Sequence, residues 1–178
     1  MHPRTQEVLS YLDQGRANLE QAVASIPEEA RSTSAAPGRW SAAQVLEHLA
    51  LVEARIGGLI VDQFDKARAM GLSADHETSL VVPTLDVTSL LDRGQPIAAR
   101  ENALPVEGLT AAEGLRRMKE HRSRLRNAIV AADGSALGSV SAEHPRLGML
   151  NLYQWIVFLG AHEKRHVMQI TECASQLV

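Results

Sequence analysis

The sequence predicts an all-α fold, a four-helix bundle, and three observations carry that expectation. Four segments repeat apolar residues at helical spacing, the breaks between them hold capping and turn residues, and no segment alternates convincingly as a strand. With 178 residues, 45% of them apolar, the chain is long enough for one complete core and short for two. A single domain over 1–178 is expected.

The first predicted helix runs from about Thr5 to Ile26. Val8, Leu12, Leu19, Val23 and Ile26 recur at spacings of three, four or seven before Pro27 stops the pattern. The second has the clearest start. Ser41 is an N-cap, Gln44 completes a capping box, and Trp40 is placed to staple onto Val45. Its stripe is Val45, Leu49, Val52, Ile56 and Leu59, it ends before Gly71, and Gly57-Gly58 marks a close helix approach or a weak point.

From Leu72 to Leu109 the chain holds Pro83, Pro96, Pro105, Gly94 and Gly108, too interrupted for a long helix and too long for a simple connection. Such a segment suits the cover of a site. Thr110 with Glu113 reads as another capping box, and Leu115, Met118, Leu125 and Ile129 form the stripe of the third helix up to Asp133-Gly134. Arg122 interrupts that stripe. A loop through His144-Pro145 leads to Asn151, an N-cap with Gln154 three residues on and Leu150 opposite Trp155 as a staple, so the fourth helix starts near Leu152. Short connections between helices 1 and 2 and between 3 and 4, with one long crossover between 2 and 3, fit antiparallel pairs.

A net charge of -3 from 18 basic and 21 acidic residues, with no block of one sign, leaves no electrostatic footprint for nucleic acid. No stretch approaches the roughly 20 apolar residues of a membrane span, and the N-terminal residues lack the apolar run of a secretory leader. Cys173 is the only cysteine, so no intrachain disulfide can form and a cytoplasmic location is expected.

In the fourth helix Leu152, Trp155, Leu159, His162, His166, Ile170 and Cys173 follow one another at spacings of three or four and share one stripe. Two histidines therefore stand where the pattern asks for core hydrophobes, one turn apart. Buried imidazoles need partners for their ring nitrogens, and one shared metal satisfies both. His48, three residues after Val45 and four before Val52, borders the stripe of the second helix and is the natural third ligand. A lone histidine there would more often be a satisfied core residue; the pair on the fourth helix changes that balance. Three neutral imidazoles suit zinc, nickel or ferrous iron and leave a position open, an arrangement of catalytic rather than structural sites.

His162-Glu163-Lys164-Arg165-His166 also reads literally as the zincin peptidase motif, with Glu163 as general base. The extended metzincin form would need glycine and histidine where Gln169 and Glu172 stand, and no strand offers a protease sheet, so the peptidase reading is disfavoured. Glu163 stays a candidate for supporting the ligands. A di-iron site would need a second Glu-x-x-His unit beside Glu163-x-x-His166; neither Glu53 nor Glu120 supplies one. His144 could reach the open end of the bundle or sit as a solvated loop residue. His2, His76 and His121 have no evident partner, Cys173 lies about 10 Å along the axis from His166 and so reads as core rather than ligand, and Arg146 and Arg165 are anion-binding candidates by proximity alone.

Gly38-Arg39-Trp40-Ser41, Val45-Leu46-Glu47-His48-Leu49 and His162-x-x-x-His166 with Gln169-Ile170, in this order with His144-Pro145 between them, resemble the DinB-like superfamily, which includes the bacillithiol transferases. The resemblance covers nearly the whole chain. It implies an up-down-down-up bundle, often dimeric, with a divalent metal on three histidines matching His48, His162 and His166. It also implies a chemistry, transfer of a low-molecular-weight thiol of the bacillithiol, mycothiol or glutathione type to a small electrophile. Two classes of function follow: an enzyme, either a metal-dependent thiol S-transferase or a hydrolase using bound hydroxide, or a non-catalytic metal-binding or stress-response protein.

Overall fold

His2 and Pro3 start the first helix. The His2 Nδ1 accepts the Arg4 amide at 3.4 Å, and proline at the first helical position gives up an N–H that has no partner there anyway. In the computed structural model, which describes residues 1–177, α1 accordingly runs Pro3–Ala24, two residues ahead of its predicted start. Ile26 lies just past its end and is still fully buried. α2 spans Ala42–Ala69, opened by the predicted box: the Gln44 amide donates to Ser41 Oγ at 3.3 Å and the Ser41 amide to Gln44 Oε1 at 3.0 Å.

α3 is a single short turn, Thr88–Leu91, inside the crossover. α4, Ala111–Ala131, keeps half of its expected box: Thr110 Oγ1 accepts the Glu113 amide at 3.2 Å, while the Glu113 side chain turns to Arg116 and Arg117. α5, Leu152–Leu177, starts on a complete box between Asn151 and Gln154.

One element departs from the expected all-helical reading. The segment before α5 is an antiparallel hairpin, β1 Ser141–His144 and β2 Gly148–Asn151, with Ser141 opposite Asn151 and His144 opposite Gly148. Gly148 has φ +72°, the left-handed conformation a three-residue hairpin loop needs at its end. Only Leu150 of the eight strand residues is buried, so no period-two apolar signal exists to read. The Trp155 indole N–H donates to the Ala142 carbonyl at 3.2 Å and ties the hairpin to α5.

The main helix contacts pair α2 with α4 and α1 with α5, with α2 also on α5. These are not the chain-consecutive pairs that loop lengths suggested. Between α2 and α4, a Cβ on Gly114 would lie 2.8 Å from Leu46 Cβ, and one on Gly57 3.8 Å from Leu125 Cβ. Gly114, not Gly57-Gly58, is thus the close approach. α1 meets α5 where Tyr11 lies against Gly160 and Arg16 reaches Glu163. α1 meets α4 where Arg122 reaches the Leu12 carbonyl and Arg126 pairs with Asp13.

The apolar core falls into two clusters. One includes Leu12, Ile56, Leu125 and Leu159, the other Leu19, Leu49, Met118 and Ile170. Each of the four long helices places a charged residue at the boundary of the two clusters: Arg16, Arg122 and Glu163 lie between their helices' members, and Glu53 follows Val52 just past the boundary on α2. Arg16 donates to Glu163 at 2.9 Å and to Glu53 at 2.7 Å, Arg122 donates to the same two carboxylates, and a third Arg122 N–H reaches the Leu12 carbonyl at 3.0 Å. The Arg122 that seemed to interrupt a stripe is the centre of this layer.

The crossover has little regular structure, so its backbone polar groups need side-chain partners. Glu7 accepts the amides of Val81 and Val82 at 2.6 and 3.1 Å. Arg165 donates to the carbonyls of Leu90, Asp92 and Gln95 at 2.7, 2.7 and 2.9 Å. Buried Glu47 accepts the amides of Glu107 and Leu109 at 2.6 and 3.1 Å. Side chains from α1, α2 and α5 thereby fix the segment across the face that carries the histidines.

Candidate metal centre

His48 comes from the second turn of α2, and His162 and His166 from successive turns of α5. The ring centroids lie 5.3 Å apart for His48 and His162, 4.8 Å for His48 and His166, and 4.7 Å for His162 and His166. One ring nitrogen of each falls within 4.8 Å of the others. His48 and His166 are buried, and His162 is partly exposed to the cavity it lines.

Neighbouring groups set two of the tautomers. The Ala103 carbonyl lies 2.6 Å from His48 Nδ1; a carbonyl can only accept, so Nδ1 carries the proton and Nε2 is free to ligate. The Gln169 amide oxygen does the same for His166 Nδ1 at 2.9 Å. The buried Nδ1 of His162 has no hydrogen-bond partner. Apart from Thr5 Oγ1 it is the one buried side-chain nitrogen or oxygen among the described residues without a partner; such a group is costly, and a cation among the three rings answers that deficit.

Burial is the main reason all three rings stay neutral. Desolvation holds His162 well below its ordinary value, helped by the charges His166 and His48 would carry. Desolvation, with His48 next, pushes His166 down to about 3, and His48 is lowered by burial against the opposing pull of the Ala103 carbonyl. Neutral imidazole is the ligating form, so the site is ready for a metal without first losing protons.

Above the rings opens a cavity of about 870 Å³. Trp40 stands 5.0 Å from His48 and Phe158 6.1 Å from His162, centroid to centroid. The crossover contributes the wall from Ser89 to Ala103, the segment expected to cover a site. His144 also lines this space, 4.5 Å from Phe158 and 5.1 Å from Trp155. Its Nδ1 accepts the amides of Arg146 and Leu147, closing the hairpin turn.

Several residues take roles different from those expected. Glu163 does not support the ligands: it faces Arg16 and Arg122 in the ion-pair layer, so the zincin-like motif places its glutamate away from the histidines. Arg165 is occupied by the crossover carbonyls. Cys173, by contrast, is the buried core residue its position suggests. His2 caps α1. Ala103 and Gln169, to which the sequence reading assigns no part in holding the rings, matter most for the site. A backbone carbonyl leaves no signal in a sequence, but Gln169 is readable, standing three residues after His166 on the same helix face.

The fold and this group define a mostly helical protein whose three clustered histidines could hold a metal ion at the floor of an open cavity. The chain belongs to the DinB superfamily, whose family model matches residues 11–170 and so includes all three histidines. Neither curated proteins nor solved structures yielded a match. Among the described residues, no helix is long and apolar enough to cross a membrane.

Proposed function

We propose that His48, His162 and His166 bind one divalent metal, zinc, nickel or iron, and that the protein is a metal-dependent S-transferase joining a low-molecular-weight thiol to a small electrophile. The observation that carries this reading is the floor of the cavity: three neutral imidazoles, two with tautomers fixed for ligation and one with an unsatisfied nitrogen. When bound, such an ion supplies Lewis-acid stabilisation of a thiolate at neutral pH.

The chain's own residues supply position and access. Ala103 and Gln169 hold two rings by hydrogen bonds, the role that ligand-orienting partners play at metal sites. Trp40 and Phe158 wall the rings with apolar surface, and Arg165 fixes the crossover over them. No carboxylate lines the cavity, so no carboxylate competes with a thiol for a place beside the rings, which favours thiol transfer over hydrolysis.

The reading includes an up-down-down-up order for the four long helices. Residue numbers rise together where α1 meets α5, at Tyr11 with Gly160 and Arg16 with Glu163, and where α2 meets α4, at Leu46 with Gly114 and Gly57 with Leu125. They run oppositely where α1 meets α4, at Leu12 with Arg122, His2 with Asp133.

Elemental analysis of protein purified without a histidine tag tests the metal: near-stoichiometric metal in the wild type and its loss in His48→Ala and His162→Ala are expected. Full retention in both variants sinks the site. Thiol consumption across several cellular thiols and electrophiles tests the chemistry, and the absence of metal-dependent turnover with every pair would select the non-catalytic reading.

A further inference from the structure

The chain is acidic overall, with a net charge of -3, yet the cavity wall is lined by six arginines and by no aspartate or glutamate. Three of them are already engaged. Arg39 and Arg93 meet Glu172, at 3.3 and 2.7 Å, and Arg165 holds the crossover carbonyls. Arg55 of α2, Arg100 of the crossover and Arg146 of the hairpin turn have no salt bridge and no side-chain hydrogen bond among the described residues. They come from three separate elements and line the same cavity.

Their electrostatic effects agree with that shared placement. Arg55 is lowered by burial and then by the charge of Arg100. His144 is lowered by burial and then by Arg100, Arg55 and Arg146 together. The free guanidinium groups and the imidazoles line one space. Like charges gathered without counter-charges repel one another and raise the potential in a walled cleft, and a bound anion relieves both effects. A guanidinium fork is shaped for carboxylate or phosphate oxygens.

We propose that Arg55, Arg100 and Arg146 form an anion-binding subsite, and that the small molecule handled at the histidines carries a carboxylate or phosphate group received there. The volume of about 870 Å³ lies in the range of small-molecule sites and far exceeds a bare ion. The ligand is therefore an organic molecule with an oxyanion at one end and its reacting atom at the other. This identification of the substrate class rests on the proposed reaction at the histidines; the subsite itself needs no metal.

Binding is measured on chelator-treated, full-length protein through tryptophan fluorescence, since Trp40 lines the cavity, with succinate, inorganic phosphate and the uncharged analogue succinamide as probes. Saturable binding of succinate or phosphate, weakened by salt, and none of succinamide are expected. The two anions distinguish carboxylate from phosphate preference. Arg55→Gln, Arg100→Gln and Arg146→Gln should each raise Kd about tenfold, the cost of losing one charge-assisted contact. Arg116→Gln, on the far surface of α4, should not. These arginines are exposed and unpaired, so their substitution leaves folding intact.

Unchanged affinity in all three arginine variants, equal binding of succinamide, or no saturable binding of either anion overturns the subsite. His162→Ala separates the two ideas. Anion binding kept in a variant that has lost metal supports the subsite on its own ground, whereas metal binding in the wild type without anion binding leaves the metal reading standing and removes this one.

Discussion

The ion-pair layer and the histidine group lie side by side in one core and resolve buried polarity in opposite ways. In the layer, two guanidinium groups and two carboxylates from the four long helices neutralise one another, and Arg122 spends a remaining donor on the Leu12 carbonyl. Among the histidines nothing opposes a charge, so burial keeps the rings neutral and one nitrogen is left without a partner. The layer is closed, while the histidines open onto a cavity. Complete satisfaction marks a structural device, and incomplete satisfaction beside an opening marks a place for something the chain does not contain.

The largest effect expected from breaking this contrast is in the layer. Arg122→Met leaves Glu53 and Glu163 sharing Arg16 alone, and removing one partner of a buried ion pair costs about 3–5 kcal/mol. Urea unfolding should show that loss with metal absent as well as present. Replacing all four charged residues together by leucine or methionine should recover most of it, because a well-packed apolar layer is often as stable as a buried ion cluster. Failure of the combined variant to recover would give the layer a role in specifying helix order rather than in stability.

Acid sharpens the contrast from the other side. The His166 ring titrates near 6.5 when unfolded and at about 3 when folded. Its contribution to stability is complete above pH 6.5. Below that, the unfolded chain takes up a proton that the folded protein refuses, and stability falls by up to about 1.4 kcal/mol per pH unit for each linked imidazole until the folded pKa is reached. His48 and His162 are lowered too and add the same sign. Glu53, raised by burial despite Arg122 and Arg16, acts oppositely as it protonates. The upper part of the window therefore reports the histidines most cleanly. Denaturation of metal-free protein between pH 7.5 and about 5.5 should show the decline, and a flat profile would mean that the rings are hydrated rather than dry.

How legible each region is in the sequence follows from the same chemistry. The capping residues Ser41, Thr110 and Asn151 announce their helices because a cap is a local bond between neighbours in the chain. His162 and His166 announce themselves because two polar residues on one apolar stripe of one helix violate its pattern. The layer was visible only in fragments. Arg122 registered as a fault in a stripe, but its partners stand on three other helices, and matching them needs helix order. The hairpin at 141–151 buries one side chain and so leaves no pattern, and the six arginines of the cavity come from six places in the chain. Local pairing is written in the sequence; pairing across helices has to be folded to be seen.

A smaller effect tests whether the cavity roof belongs to the histidine region or merely passes over it. Arg165→Lys keeps the charge but cannot present a planar fork to the carbonyls of Leu90, Asp92 and Gln95. Global stability should fall by about 1 kcal/mol, and amide hydrogen exchange should accelerate across residues 90–96 while the centres of α1 and α4 stay protected. Exchange rising uniformly over the bundle would place Arg165 among the residues that hold the whole fold.

The smallest expected change is the most diagnostic. In metal-free protein His162→Ala removes a ring with an unsatisfied nitrogen, so the lost packing against Phe158 is offset by the relief of a desolvated polar atom. Unfolding free energy should shift by less than about 1 kcal/mol, against several for Arg122→Met. With metal supplied to both proteins the difference should widen, because an ion that binds only the folded state stabilises it by mass action and His162→Ala forfeits that gain. A large loss in the metal-free comparison would show that His162 is held by the protein itself, and the two regions would then differ in charge but not in kind.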